Sequence, residues 1–522
     1  MKKTHGSSRR EFLSQGGKLV LGSTLSSFPM ARLHASPEAA RPATGEHAEQ
    51  RESMAGAFLY GASVYPELQT REEWNKMLDL FQRAHMNVVR VSESSWGNLE
   101  TAPGEFNFVW LRNFLADLAG RKMQGFLGTS TFIPPQWVVG KHPETLLQPS
   151  PGYLGDPMSR KSPCLNHSLY RQACRRYVAA MGSAFKDHPA VIGWQLDNEI
   201  EPMVWTICYN PACEKAWQDW LRQTYHTPQE FNQRLDLVSW GMKIGSFDEV
   251  PQPRLGMENI GEVVEFAGST DARRKLPALS LAHFHFRRDV ILGFMAEQAQ
   301  TLREAGVKQP ILTDWNTVWT AIADDPKAGK FMDVAGLNYY QPSADSPEFW
   351  SAIAWHQDMH RSAYGQGHFI TTENRFGATG QTYMSDPAPA REQFHMWGLE
   401  AAAFGSSGLL YWSGNRWRGG HWPQWGGLLD WSGHAEPDFD WAVELGKFYV
   451  KWGRHLLENP VQASAVVLTD FDQRAALEVY PHIKASLSVL PETFDALHRL
   501  GIGVDSMNLA SAEDPAKLEK YS

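Results

Sequence analysis

The segment Val191-Ile-Gly-Trp-Gln-Leu-Asp-Asn-Glu199 decides the fold, because it joins a short apolar run to polar residues. Its first six residues carry no charge and include β-branched and aromatic side chains. Such a run predicts a strand that is buried on both faces, as in a parallel sheet covered by helices. The carboxylates and the amide that follow predict a functional site at the carboxyl end of this strand.

Seven further apolar runs share this character, at Phe58–Val64, Asn87–Val91, Gly125–Thr129, Pro310–Thr313, Asp333–Asn338, Phe369–Thr372 and Gly408–Trp412. Between them lie amphipathic helical patterns, for example at Glu72–His85, Trp110–Arg121, Leu169–Lys186 and Arg391–Phe404. Eight strands that alternate with helices over about 400 residues predict an α/β protein with a (β/α)8 TIM barrel. A doubly wound open sheet is the rival, but residues 61–67 are not the glycine-rich turn that it requires.

The whole chain is predicted to have four parts, of which the barrel and the tail after it are the two folded ones. Residues 57–458 form the catalytic barrel, in which the insertion 201–276, rich in tryptophan, is predicted to wall the cleft. Residues 459–522 restart the pattern with a strand, a helix and a second strand. One βαβ unit cannot cover its own apolar faces, so we expect the start of a second, smaller α/β domain that is cut short, or else a small unit that docks on the barrel.

The N-terminal residues predict a signal for export. Ser8-Arg9-Arg10-Glu11-Phe12-Leu13 is typical of a twin-arginine signal, and a weakly apolar run and small residues follow it. We therefore expect residues 1–35 to be a signal peptide and residues 36–56 to be a disordered linker. The mature chain would then be periplasmic or secreted.

Composition restricts the class of partner. The net charge of -9 disfavours nucleic acid and anionic membranes, both of which require a basic face. After the N-terminal region no run approaches the 18 or so apolar residues of a membrane span. The 21 tryptophans fit either a large core or a sugar site, where indole rings stack on pyranose faces.

Two carboxylates follow strands on opposite sides of the predicted barrel. Glu199 ends the fourth strand and Glu373 ends the seventh, so their side chains can face each other across the mouth. Hydrolysis of a glycosidic bond with retention needs such a pair, one as nucleophile and one as proton donor. Asn198 is placed to bind a sugar 2-hydroxyl. Glu201 competes with Glu199 but is expected beyond the rim.

Several segments together resemble the family 42 glycoside hydrolases, which include β-galactosidases with catalytic glutamates on strands four and seven. The resemblance runs from about residue 58 to the end and rests on residues 65–67, 87–91, 103–106, 134–137, 194–199 and 356–358. It implies that Glu199 is the acid/base and Glu373 the nucleophile. It also implies a part in sugar binding for Arg90, Asn198, Tyr339 and Trp240. The tail resembles the start of a domain that helps form trimers, so a homotrimer is expected.

The sequence departs from the family pattern in the loop after strand eight. Trp422 and Trp425 stand where the family has a Glu and a His that bind galactose. An indole cannot accept hydrogen bonds from hydroxyl groups, although His421 offers a replacement contact. The resemblance to the family makes a β-galactoside the first expectation for the substrate. The departure in this loop makes a β-fucoside, an α-L-arabinopyranoside or a β-glucoside the alternative.

Some family members bind zinc through a cysteine cluster after strand four. Here Cys208 and Cys213 keep only two of those cysteines, and structural zinc wants four ligands. Free thiols are therefore the first interpretation, with a disulfide or a metal as alternatives, and no cofactor is predicted.

The predicted function is removal of terminal β-D-galactose-like residues by double displacement. Glu199 would have a raised pKa and Glu373 would be ionised. A carbohydrate-binding barrel without catalysis and a transglycosidase are the rival functions.

Overall fold

A computed structural model describes residues 56–200, 207–253, 277–316, 322–341, 347–365, 367–379, 386–420, 422–479 and 489–521 of the chain. The predicted signal peptide and nearly all of the predicted linker lie outside these residues, so both stay predictions.

Eight parallel strands close into a barrel, as the sequence predicted. Their bounds are Leu59–Ser63 (β1), Val88–Val91 (β2), Gln124–Gly128 (β3), Val191–Gln195 (β4), Ile311–Asn316 (β5), Val334–Asn338 (β6), Phe369–Arg375 (β7) and Ser406–Trp412 (β8). Each strand pairs with its neighbours in chain order, and β8 closes the ring against β1. All eight carboxyl ends therefore meet at one mouth.

One buried side chain from each strand fills the interior of the barrel, in a layer made of Leu59, Val88, Phe126, Ile192, Leu312, Val334, Ile370 and Leu410. Side chains on a strand alternate between its two faces. Arg90 and Asp314 lie two residues after Val88 and Leu312 and so enter the same interior, one layer nearer the mouth. The apolar layer thus forms the floor of a polar site.

Helices cover the outside of the barrel. They are Arg71–Arg83 (α1), Val109–Gly120 (α2), Ser168–Phe185 (α3), Pro211–Tyr225 (α4), Pro228–Arg234 (α5), Pro277–Glu304 (α6), Pro347–Ser362 (α7), Arg391–Ala403 (α8) and Phe439–Glu458 (α9). Single-turn helices lie at Trp96–Leu99 and Gln136–Val139, and a short hairpin pairs Glu100–Ala102 with Glu105–Phe106. No helix in the described ranges is long and apolar enough to cross a bilayer.

The connection between β5 and β6 differs from the others in the part of it that is described. Residues 322–333 hold the 3-10 turn Ala328–Lys330 and no α-helix. Ile322, Ala323 and Ala328 are fully buried and belong to the hydrophobic core, so this stretch packs directly on the barrel.

The described part of the insertion after β4 has its own core, and two of its tryptophans lie there rather than in a cleft, while the predicted wall otherwise stays a prediction. Trp217 is fully buried there and donates its indole N–H to the carbonyl of Val250 at 3.1 Å. Trp220 stacks on Trp217 with ring centroids 5.6 Å apart. Both rings therefore stabilise the insertion, since α4 and α5 need apolar partners away from the barrel.

The tail forms a two-stranded parallel sheet, Ala465–Thr469 (β9) with Val504–Asn508 (β10), and two helices, Phe471–Val479 (α10) and Val489–Arg499 (α11). Another single-turn helix, Leu509–Ala512, follows β10.

Buried polar contacts attach this tail to the outside of the barrel. Arg361 of α7 pairs with Asp505 at 3.0 Å and donates to the carbonyl of Val504 at 2.5 Å. Asp324 accepts from Thr469 at 2.5 Å. The tail and the barrel are therefore joined by charged contacts that are shielded from water.

Candidate active site

The turn after β4 carries Glu199 in an uncommon backbone conformation. Asp197 and Glu199 have φ angles of +50° and +46°, in the left-handed region that favours glycine. The buried carboxylate of Asp197 holds the turn, because it accepts from the hydroxyl of Thr131 at 2.6 Å and from the amide of Gln298 at 2.7 Å. Lys161 donates to the carbonyl of Glu199. Local strain is thus balanced by contacts that fix the direction of Glu199.

The carboxylate of Glu199 is buried and is oriented by two amides. Its Oε1 accepts from Asn316 at 2.9 Å and from Asn338 at 3.0 Å. Its Oε2 lies 4.0 Å from the guanidinium of Arg160. One oxygen of Glu199 is therefore held firmly, while the other faces a cation at the edge of the site.

Glu373 lies near the carboxyl end of β7 and is held from two sides. Arg90 forms an ion pair with its Oε1, and the hydroxyl of Tyr340 donates to its Oε2. The amide of Asn198, turned so that its nitrogen faces the carboxylates, donates to Oε1 at 3.3 Å. A carboxylate that accepts from all three groups is fixed in position and orientation.

Asp314 links the two glutamates. Its Oδ2 accepts from Arg90 at 2.8 Å and from Asn338 at 2.9 Å, and its Oδ1 accepts from the backbone N–H of Glu199 at 3.0 Å. The same Oδ2 also accepts a hydrogen bond from the amide nitrogen of Asn198 at 2.6 Å. Asp314 therefore ties the ends of β2, β4 and β6 into one unit.

Glu93 adds a fourth carboxylate to the cluster. It pairs with Arg90 and accepts from the hydroxyl of Tyr65 at 2.7 Å. Its backbone approaches β3 closely, because a Cβ at Gly128 would lie only 2.6 Å from the Cα of Glu93. Glycine at this position is what permits Glu93 to reach the site.

The sequence predicted a raised pKa for Glu199 and an ionised Glu373, but the structure gives the two glutamates the reverse order of pKa values. Burial raises the pKa of Glu373 to about 8, although Arg90 opposes the rise. Burial acts on Glu199 as well, but Lys161 and Arg160 outweigh it and hold the pKa of Glu199 below its usual value. The sequence could not reveal this order, because the two cations belong to a distant segment of the chain.

Aromatic rings line one side of the site. The buried rings of Tyr65, Trp412 and Trp425 pack together with the partly buried Tyr340, Trp417 and Trp422. Trp425 lies 5.2 Å from the ring of Tyr340 and 5.1 Å from that of Trp412, measured between centroids. Arg160 lies over the face of Trp422 at 5.5 Å. The aromatic wall, as we call these six rings, therefore contacts Glu373 through Tyr340 and meets Arg160, the cation that faces Glu199, through Trp422.

Of the predicted sugar-binding residues, Tyr339 needs a correction. Its side chain is buried among Leu337, Ile353 and Phe369 on the outer side of β6, and only its backbone N–H meets Glu373, at the carbonyl, 2.8 Å away. The hydroxyl that binds the carboxylate belongs to Tyr340. The predicted tyrosine was wrong by one position, and in an extended chain a shift of one position turns a side chain to the other face.

Arg90, Asn198, Trp422 and Trp425 do come together around the glutamates. Glu201, His421 and the side chain of Trp240 lie outside the described residues, so their predicted places stay predictions.

Sequence reasoning missed Asp314, Asn338, Glu93 and Arg160. Asp314 and Asn338 carried a usable signal, because a polar residue inside or at the end of a buried strand requires a partner. Arg160 gave none, since it lies in a long loop after β3 with no regular pattern.

The structure also corrects the cysteine count in the predicted metal region. Cys164, just before α3, joins Cys208 and Cys213, and the three sulfur atoms lie within 4.8 Å of one another. All four cysteines of the chain are free thiols. Three thiols in this arrangement fit three of the four ligand positions of a zinc ion. No sequence spacing could have revealed Cys164, because it comes from a separate segment.

Comparison with known proteins agrees with this geometry. The chain is 26% identical over 456 residues to beta-galactosidase BgaP of Planococcus sp. (strain L4), with 86% of this chain and 65% of that protein covered. It is 27% identical over 468 residues to a beta-galactosidase of Thermus thermophilus, with 86% and 68% covered. The chain thus spans about two thirds of the length of these curated relatives.

A solved structure shows the same architecture. The crystal structure of beta-galactosidase from the psychrophilic Marinomonas ef1 superposes with a TM-score of 0.77 at 26% identity, covering 86% of this chain and 70% of that one. The family profile of glycoside hydrolase family 42, described as beta-galactosidase, matches residues 63–450. Because this match covers well over half of the sequence, the chain belongs to glycoside hydrolase family 42.

Proposed function

We propose that the chain is a retaining glycosidase that removes terminal β-D-galactose-like residues from β-galactosides. The observation that carries the proposal is the fixed position of Glu373 between Arg90 and Tyr340, with Glu199 oriented at the same mouth. Retaining hydrolysis needs one carboxylate that attacks and one carboxyl group that moves a proton. The family supports both roles.

The reaction takes place in two steps. In the first, Glu373 attacks the anomeric carbon while Glu199 gives its proton to the departing glycosidic oxygen, so the aglycone leaves as an alcohol. In the second, Glu199 takes a proton from water, and the resulting hydroxide displaces Glu373 from the sugar. Arg90 and Tyr340 keep the Glu373 carboxylate aligned, and Asn198 is placed to bind the 2-hydroxyl.

The nature of the sugar is the finer part of the proposal. The relatives named above are beta-galactosidases, which makes β-D-galactose the first choice. The aromatic wall favours a second choice, because Trp422 and Trp425 present no acceptor to hydroxyl groups. A β-fucoside, which lacks the 6-hydroxyl, or an α-L-arabinopyranoside, which lacks C6, would lose less there than galactose. A β-glucoside is the remaining alternative.

Hydrolysis of aryl β-galactoside, β-fucoside, α-L-arabinopyranoside and β-glucoside tests both parts. We expect turnover of at least one of them, and its loss in Glu373→Gln. With Glu373→Ala and added azide, the product should be a glycosyl azide of inverted configuration. With Glu199→Ala it should be one of retained configuration. Azide products of the opposite configurations would contradict the assigned roles.

A carbohydrate-binding barrel without catalysis is the main rival. It predicts binding of an oligosaccharide that is never cut, with the same affinity in Glu373→Gln. The presence of both oriented glutamates argues against it. A transglycosidase would give longer oligosaccharides from the aryl substrate rather than free sugar, so product analysis separates it from a hydrolase.

We also propose export and assembly from the sequence and the family. Arg9 and Arg10 are proposed to direct the chain through the twin-arginine route to the periplasm or beyond. Replacing both by lysine should leave the enzyme in the cytoplasm. The proposed homotrimer predicts three times the chain mass in light scattering, and a chain mass at micromolar concentration would contradict it.

A further inference from the structure

A groove on the outer surface of the barrel is lined by residues of α7, α8 and α11. Its volume of about 750 Å³ falls within the range of about 300–1,000 Å³ that is usual for small-molecule sites. Its apolar lining consists of Ala354, Met396, Leu399, Ala403 and Phe404. Met396 and Leu399 are 37% and 40% exposed, although both are large and apolar. Exposed apolar side chains that surround a concave surface are typical of a binding site.

One carboxyl group interrupts this apolar lining. Glu400 of α8 lines the groove, and its Oε2 is closed off from solvent and has no hydrogen-bond partner among the described residues. Burial raises the pKa of this carboxyl group to about 8. A buried polar atom normally has a partner, because its removal from water is otherwise uncompensated. Glu400 therefore offers a polar contact that the described fold does not use.

The basic side chains that line the groove are engaged with other carboxylates. Arg391 and His395 of α8 lie 2.7 Å and 3.2 Å from the carboxylate of Glu444 on α9. His498 of α11 lies 2.8 Å from the carboxylate of Asp358 on α7. The positive charge at the groove is thus balanced elsewhere.

The remaining titratable groups at the groove carry negative charge or none. Glu392 is exposed on the first turn of α8, and Asp495 of α11 accepts from Arg499 at 2.6 Å. Tyr339 of the barrel is close enough to be affected by the charge of Glu400. Burial and this charge together raise the pKa of Tyr339 well above its usual value, so its phenol stays neutral. The groove therefore favours a cation over an anion.

We propose that this groove binds a small amphipathic amine, whose ammonium group pairs with Glu400 and whose apolar body packs on Met396, Leu399 and Phe404. An ammonium group has three donors and no acceptor, so it supplies what Oε2 lacks. The ion pair shortens and strengthens the hydrogen bond, and the apolar body gains from burial. Because α8 lies on the outside of the barrel, occupancy by an amine does not require glycosidase activity.

Calorimetric titration of the full chain with 2-phenylethylamine tests the site, and 2-phenylethanol is the uncharged control. We expect one amine per chain, and an affinity for the alcohol that is roughly tenfold lower because the ion pair is absent. Glu400→Gln should lower the affinity for the amine by roughly tenfold and leave that for the alcohol unchanged. Glu392→Gln, which removes an exposed carboxylate at the same groove, should change either affinity by less than about twofold.

A second variant tests the groove without removing the buried carboxyl group. Met396→Lys places an ammonium group one helical turn before Glu400, at a position that is already exposed. This lysine should compete for Glu400 and weaken binding of the amine. Thermal melting followed by circular dichroism checks that each variant folds.

The proton on Glu400 gives an independent readout. A carboxyl group with a pKa of about 8 is mostly protonated at pH 7, so pairing with an ammonium group should release about one proton per amine. Titrations in phosphate and in Tris, which differ in ionisation enthalpy, measure this release. It should vanish in Glu400→Gln, and the affinity of the native chain for the amine should rise from pH 6 to pH 8.

The carboxylates of the active site offer a competing place for an amine, and Glu373→Gln controls for it. Binding of the amine that is lost in Glu373→Gln but kept in Glu400→Gln would overturn the groove as the site. Equal affinities of the native chain for the amine and the alcohol would overturn the role of the ion pair. Absence of binding of either compound at millimolar concentration would overturn the proposal as a whole.

Discussion

The hydroxyl group of Tyr340 should be worth far more to activity than that of its neighbour Tyr339. Tyr340 donates to Oε2 of Glu373, so it orients the proposed nucleophile and stabilises its negative charge. Tyr339 instead lies in an apolar cluster behind β6. Replacing either tyrosine by phenylalanine removes a single hydroxyl oxygen. Only the hydroxyl of Tyr340 contacts Glu373.

The size of the effect follows from the kind of bond that is lost. A hydrogen bond to a charged group contributes about 1.5–3 kcal/mol. Because each 1.36 kcal/mol corresponds to a factor of ten in rate, Tyr340→Phe should lower kcat/KM by roughly 10- to 150-fold. Tyr339→Phe should change kcat/KM by less than about twofold, since its phenol has no contact with the carboxylate.

The assay is the pH profile of kcat/KM on the best aryl glycoside for both variants and the native chain. Losing the Tyr340 donor destabilises ionised Glu373 and raises its pKa. Because Glu373 has the higher pKa of the pair, the basic limb of the Tyr340→Phe profile should move to higher pH, whereas the Tyr339→Phe profile keeps the native position. Equal losses in the two variants, or full activity in Tyr340→Phe, would refute the assignment of Tyr340.

Three further changes test other parts of the molecule. Arg90→Gln removes the cation that opposes the burial-raised pKa of Glu373, so kcat/KM should fall by roughly 100- to 1000-fold and its basic limb should move to higher pH. Arg90→Lys should recover part of both effects. Hydrogen bonds and Arg361 hold the pKa of Asp505 below its usual value against the effect of burial, so its stabilising contribution is present above about pH 4 and is lost on acidification. Asp505→Asn should therefore lower the melting temperature at pH 7, by roughly 2–4 °C, and by less at pH 3. Trp422→Ala should raise KM by roughly tenfold with a smaller change in kcat, because the ring belongs to the aromatic wall and an indole packs on a sugar without exchanging a proton.

The sequence was sufficient for the barrel because every strand is buried on both faces. Such strands read as short apolar runs, and all eight predicted runs overlap the strands of the structure. Glu199 and Glu373 were found for the same reason, since a carboxylate directly after an apolar run stands out. Both signals, an apolar run and a carboxylate that follows it, involve only residues that are adjacent in sequence, so the sequence alone shows them.

Relations between distant segments were not predictable. The choice between Tyr339 and Tyr340 depends on where β6 stops being extended. Cys164 meets Cys208 only because the segment before α3 lies beside the segment before α4, where Asn210 donates to the carbonyls of Glu144 and Leu146. Trp217, expected to line the cleft, is buried because the insertion needs a core of its own. Each of these errors comes from packing between segments, for which a single sequence gives no pattern.

The site is best understood as one charged cluster rather than as two separate glutamates. Arg90 contacts Glu93, Asp314 and Glu373, and Asp314 connects to Glu199. Burial raises the pKa of Asp314 to about 7 and that of Glu373 to about 8, so the cluster keeps a proton near neutral pH. Double displacement requires a proton on Glu199 and a charge on Glu373. Positive charge that develops on the sugar in the transition state stabilises ionised Glu373 most. The transition state of the proposed reaction therefore favours the proton distribution that the free site disfavours, with the proton on Glu199 and the charge on Glu373.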